Sequence, residues 1–188
     1  MHERTGRVLD AAARLLALAG GALLLAAGMV TVASVVGRAL VPFGFAPIKG
    51  DFELVSMACA PAIFAFLPWC QLRRGHVTVD MAVAALPPRI RAALGLAGDL
   101  VMTAVAAVIL WRLWIAFGER LPFLARDTRA VLGWGERPFF PERSAELGIA
   151  LWIPYAASVV GAALFLIVCL YTVWRGAVWT VQGQEGRA

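Results

Sequence analysis

Leu15–Gly37 reads LLALAGGALLLAAGMVTVASVVG, 23 consecutive residues without a charge, bounded by Arg14 and Arg38. At the helical rise of 1.5 Å per residue this run extends about 34 Å, enough to cross a hydrocarbon core of about 30 Å. Arg4 and Arg7 precede it, as basic residues precede the apolar stretch of a signal peptide. The run is longer than the roughly 7–15 residues of such a stretch, and no small-x-small site leads into a polar mature start. It is therefore expected to be a retained first span.

Three further runs repeat the pattern. Leu54–Leu72 is uncharged over 19 residues and contains Pro61 and Pro68, which neighbouring helices tolerate in a membrane. Ala92–Gly118 carries two charges, Asp99 and Arg112, in 27 residues, and Leu147–Trp174 is uncharged over 28. The expectation is a single all-α membrane domain over residues 1–188, a four-helix bundle with spans near 15–37, 54–72, 92–118 and 147–174. Composition agrees: 61% of residues are hydrophobic and 15% charged, with a mean hydropathy of +0.79. That is too little polar material to cover a water-soluble surface, so the lipid bilayer is the solvent for most of the chain.

Basic residues in the connections orient the spans. Arg4, Arg7 and Arg14 precede the first; Arg73, Arg74, Arg89 and Arg91 lie between the second and third; Arg175 and Arg187 follow the fourth. The opposite side has Arg38, Lys49, Arg120, Arg126, Arg129, Arg137 and Arg143, matched by seven acids. The short, strongly basic link between spans two and three decides the matter and places both termini in the cytoplasm. A net charge of +5 fits this anchoring role, and no basic helix or motif points to nucleic acid.

The outer connections are not simple polar loops. Glu119–Glu146 mixes Leu121, Phe123, Leu124, Val131, Leu132, Trp134, Phe139 and Phe140 with charges, and Ala39–Gly50 has Phe43, Phe45 and Ile48 around Pro42 and Pro47. Such mixtures suit short interfacial segments at headgroup level or docked on a partner. Pro138 and Pro141 interrupt the longer one.

Groups for catalysis are scarce. The histidines are His2 and His76, so the spans hold no axial pair for haem. Cys59, Cys70 and Cys169 form no CxxC, and the first two lie about 16 Å apart along one helix, beyond disulfide reach. No catalytic, cofactor-binding or metal residue is expected, and no cofactor. Asp99 and Arg112 are the intramembrane charges, and such residues are functional candidates. Thirteen positions rotate a helix by about 220° beyond whole turns, so the two point to different faces and do not pair. Ala17 with Gly21, Ala22 with Ala26, and Ala157 with Gly161 offer small-residue spacings for close helix approach.

The stretch from Gly50 to Arg91, GDFELVSMACAPAIFAFLPWCQLRRGHVTVDMAVAALPPRIR, is the most individual. Asp51 and Glu53 open its span, Phe66, Leu67 and Pro68 lead to its exit, and Arg73–Arg74–Gly75–His76 begins a turn that continues through Val77 and Val79 to Asp80, Leu86 and Pro87. With Arg38 before it and Leu147, Gly148, Trp152, Tyr155 and Gly161 after it, this stretch resembles the small permease subunits of tripartite ATP-independent periplasmic (TRAP) transporters. That family's pattern often has a proline near position 150, whereas this chain places Pro154 later.

The resemblance implies a bacterial inner-membrane complex. A periplasmic binding protein captures an organic acid such as a dicarboxylate, keto acid or sugar acid. A large permease carries the substrate and sodium sites and moves as an elevator, and the small subunit is a scaffold for it. Arg38, Glu53, Arg73, Arg74, His76 and Asp80 are then candidates for partner contact, with His76 and Asp80 fixing the cytoplasmic turn against the large permease. The alternative is a stand-alone small transporter or channel using Asp99 and Arg112.

Overall fold

A computed structural model describes residues 2–73 and 88–182, and within them the chain forms four long α-helices, one short α-helix and a single 3-10 turn at Val41–Phe43. The long helices are α1 (His2–Ala39), α2 (Asp51–Leu72), α3 (Pro88–Arg120) and α5 (Trp152–Gln182); α4 (Arg126–Val131) lies in the connection before α5. All four long helices are long and apolar enough to cross a membrane. The architecture is thus the expected all-α bundle of four spans.

The runs of apolar residues understate the helices. α1 extends from the charged segment before Leu15 to Ala39, and α2 begins at Asp51 rather than Leu54. The fourth helix differs in the other direction. The uncharged run starts at Leu147, but Gly148 has φ 64°, and helix begins at Trp152. Residues 144–151 form a turn instead, in which Ser144 N donates to Ile149 O (2.9 Å) and Leu151 N to Glu142 O (3.1 Å). Hydropathy cannot separate this turn from helix, because from Leu147 onward its residues are uncharged and mostly apolar.

Neighbours in the bundle run α1–α2–α5–α3. α2 and α5 occupy the middle, while α1 rests mainly on α2 and α3 mainly on α5. Burial follows: 39% of the most apolar window of α5 is buried, against 6% of that of α1. The central helices bury stripes that recur every three to four residues. On α2 the stripe is Ala58, Pro61, Ala62, Ala65, Pro68 and Gln71, and on α5 it includes Gly161, Phe165, Val168 and Thr172. Lipid tails are as apolar as these side chains, so association relies on close packing, which small residues permit.

α1 makes its contact through a seam with a different period. Gly6, Ala13, Gly20, Ala27 and Ser34 fall every seven residues. Ala13 and Ser34 are fully buried, Ala27 nearly so, and a Cβ on Gly20 would lie 2.8 Å from Ala65 Cβ and 3.1 Å from the Ala62 carbonyl. A seven-residue repeat keeps one narrow line of a helix against its neighbour, as in a coiled coil. This corrects the expected four-residue spacings on α1: Gly21 faces open space, and Ala22 and Ala26 are exposed. Gly161 does serve close approach, since a Cβ there would lie 2.7 Å from the Phe64 carbonyl oxygen, although Ala157 is exposed.

Side-chain contacts fix the alternating directions. At one end Arg38, closing α1, meets Asp51, opening α2, at 2.6 Å. At the other Arg73, after α2, meets Asp10 of α1 at 3.4 Å and stacks over Trp69 with 4.5 Å to the ring centre. The second end is the one that the basic link assigns to the cytoplasm, and it is called the inner end below.

Candidate functional site

Among the described residues two polar centres are buried, one at each end of the bundle. The inner one joins three helices. Gln71, the last buried residue of α2, donates through Nε2 to Asp99 Oδ1 on α3 (3.2 Å) and to Thr172 Oγ1 on α5 (3.1 Å). Thr172 Oγ1 in turn donates to the Cys169 carbonyl at 2.9 Å. All three side chains are buried, Asp99 to 8% exposure. Thr103 Oγ1 donates to the Asp99 carbonyl at 2.7 Å, so the backbone of this turn is also engaged. A side chain that sheds water in a membrane interior needs such partners. The cluster therefore ties α2, α3 and α5 together at one level.

The outer centre is built on Arg129 of α4. Its side chain is 1% exposed, and backbone carbonyls surround it. Nη1 donates to Leu121 O (2.8 Å), Nη2 to Gly118 O (2.7 Å) and Glu136 O (3.2 Å), and Nε to Gly135 O (3.0 Å). Gly118 and Leu121 lie at the C-terminal end of α3, where helix carbonyls have no intrahelical donor and carry partial negative charge. The guanidinium supplies those donors and complements that charge. Trp134 covers Gly118 so closely that any Cβ there would collide with its ring, and it packs against Trp114 (4.8 Å between ring centres) and Phe117 (5.6 Å). Within the segment expected at headgroup level or docked on a partner, the chain over residues 118–136 forms an ordered cap on α3.

Glu53 joins the turn before α5 to α2. Its Oε1 accepts from Glu146 N (2.9 Å) and its Oε2 from Leu147 N (3.1 Å), across more than ninety residues of sequence. Gly50 has φ 72°, and a Cβ on it would meet the Leu147 side chain at 2.5 Å, so the start of α2 and the turn before α5 are in close contact. Arg120 completes the outer end, pairing with Glu142 at 3.1 Å and lying 4.3 Å from the centre of the Tyr155 ring.

Arg38, Glu53 and Arg73 thus have partners within the chain. Asp99 and Arg112 lie on different faces, as their spacing requires: Asp99 is buried in the inner cluster, and Arg112 is exposed on the side of α3. Arg74, His76 and Asp80 lie outside the described residues. Gln71, Thr172 and Arg129 were not singled out from the sequence. A glutamine beside Arg73 reads as the end of a span, and Arg129 is one cation among many in its connection. Among the described residues no three His, Cys, Asp or Glu side chains gather where a metal ion could be held.

Comparison with curated proteins and with solved structures returned no match. The family model described as "Tripartite ATP-independent periplasmic transporters, DctQ component" matches residues 27–178. That range takes in the last third of α1 and everything after it up to the last turn of α5, and therefore both polar centres. The chain belongs to this family: it is a small, non-catalytic, multi-pass subunit of a TRAP transporter in the inner membrane.

Proposed function

We propose that the chain scaffolds a large permease subunit for cation-coupled uptake of an organic acid, a dicarboxylate among the candidates, delivered by a periplasmic binding protein. One observation carries this reading. The two intramembrane charges share no route: Asp99 is engaged with Gln71 inside the bundle, while Arg112 stands on the surface of α3. A pathway for a carboxylate substrate needs cationic or donor-rich walls along its length. The buried polar groups described here bond to one another and to backbone instead, which suits a supporting body.

The exposed side chains also support it. Leu15, Leu18, Leu25, Met29 and Val32 on α1 are more than 60% exposed. A bundle with this much apolar flank is adapted to lipid and to a larger membrane partner. Arg74, His76 and Asp80, which follow α2 in the sequence, are proposed as contacts with the large permease on the strength of the family resemblance.

Co-expression with the large permease and the binding protein tests the scheme. His76→Ala with Asp80→Ala should lower recovery of the large permease with this chain and lower uptake, whereas unchanged assembly and uptake would remove that assignment. Under the stand-alone alternative, Asp99→Asn or Arg112→Ala would abolish transport by this chain alone. On the scaffold reading there is no such transport to abolish.

A further inference from the structure

α2 and α3 both lean on α5, and they approach each other in the inner half of the bundle. There Leu67, Met102 and Phe165 pack together, and Gln71 reaches Asp99. Nearer the outer end, seven residues on from Leu67 and Phe165 and eleven on from Met102, Ala60, Ser158 and Leu113 of the same three helices line a half-open cavity of about 600 Å³. The cavity continues past Met57 and Tyr155 to the turn at Arg143. It is a crevice between α2 and α3 with α5 as its floor.

Depth and charge together identify an occupant. A transmembrane helix would need a groove across the full hydrocarbon thickness of about 30 Å. This crevice is stopped by the Leu67–Met102–Phe165 layer, about 10 Å below Ala60 by helix rise. It therefore has the depth of one leaflet. At its mouth both Glu53 oxygens are used by the Glu146 and Leu147 amides. Arg143 donates to the Gly148 carbonyl at 3.2 Å, and among the described residues it has no carboxylate partner. Arg143 is thus a guanidinium open to a phosphate, beside a Glu53 carboxylate already occupied by amides, above a mainly apolar interior. Basic side chains at this level attract phospholipid headgroups.

We propose that the crevice seats one phospholipid of the outer leaflet, its acyl chain along Met57, Ala60 and Leu113 and its phosphate against Arg143. The site is shaped by the splay of α2 from α3 and does not depend on which solute the complex carries.

The test uses the full chain, with whatever subunits co-purify, in vesicles of phosphatidylethanolamine and phosphatidylglycerol. A phosphatidylglycerol with a diazirine on its acyl chain is the probe. Cross-links mapped by mass spectrometry should be several-fold denser at Met57, Ala60 and Leu113 than at Leu25, an exposed apolar residue of α1. Ser56→Phe with Ala60→Phe fills the crevice from two exposed positions and should remove the excess while leaving Leu25 labelling unchanged. Arg143→Gln should reduce it several-fold. Labelling of wild-type protein no denser in the crevice than at Leu25 would overturn the proposal without recourse to any variant. So would a cross-linker placed at residue 57 that captured another polypeptide instead of lipid.

Discussion

The two ends of the bundle solve one problem, a charged type of side chain taken out of water, with different materials. At the inner end Asp99 is met by the side chain of Gln71 from a second helix, which also bonds Thr172 of a third. At the outer end Arg129 is met by backbone carbonyls of its own connection, from Gly118 to Glu136. The first arrangement links helices that already pack, and Gln71 asks of Asp99 a single acceptor oxygen. The second holds together a segment that has little else to order it, and it uses the planar fork of donors that a guanidinium alone provides. The inner centre should therefore tolerate conservative change, and the outer one should not.

The largest effect is expected from Arg129→Ala. It strips the donor from at least two buried carbonyls, at about 1–3 kcal/mol each, so the loss should be on the order of 3 kcal/mol. Arg129→Lys should recover only part of it, because an ammonium cannot reach the carbonyls on both sides. Thermal unfolding in detergent and protease cleavage within residues 119–146 measure this, and a wild-type melting point and cleavage pattern for Arg129→Ala would break the comparison.

Next in size is Gly161→Leu, in the packed middle between the two ends. The added side chain meets the Phe64 carbonyl and must push α2 from α5, costing about 1–3 kcal/mol as overpacking does. Gly20→Val should likewise lift α1 from Ala62 and Ala65, whereas Gly21→Val should leave the melting temperature where it was. Equal effects at 20 and 21 would discard the seven-residue seam.

Glu53→Gln sharpens the outer side of the comparison. A carboxamide has one oxygen for two amide donors, so hydrogen exchange at Glu146 and Leu147 should quicken several-fold while the core of α5 stays protected. Unchanged exchange at both amides would mean that the carboxylate does not hold the turn.

The smallest effect is reserved for the inner centre. Asp99→Asn keeps an acceptor for Gln71 and should alter stability by less than about 1 kcal/mol, and Thr172→Val should cost about 0.6 kcal/mol, the size of membrane interhelical hydrogen bonds. A collapse of Asp99→Asn on the scale of Arg129→Ala would show that the carboxylate charge itself is required.

The same contrast explains what the amino-acid sequence makes legible. Uncharged runs reveal the four spans because the bilayer imposes length and apolarity on consecutive residues. Asp99 is conspicuous for that reason, and its separation from Arg112 follows from helix geometry alone. Gln71 and Thr172 escape notice, since a glutamine at a span end and a threonine in an apolar run are ordinary, and they become a site only when three helices meet. Arg129 is hidden by its neighbours: six other basic residues lie on the same side, and nothing local separates a buried guanidinium from a solvated one. The seam of Gly6, Ala13, Gly20, Ala27 and Ser34 is present in the sequence, but an alanine-rich helix offers small residues at many spacings. Burial picks out the period of seven. The acidic start of α2 was visible at Glu53, yet its partners lie beyond two intervening helices.

That the spans give support and not passage is tested most directly by reconstituting this chain alone into sealed vesicles, imposing an inward sodium gradient, and following a radiolabelled organic acid. The account predicts uptake no greater than in protein-free vesicles, with transport arising when the large permease and binding protein are added. Sodium-driven accumulation by the single polypeptide, lost in Asp99→Asn or Arg112→Ala, would contradict it.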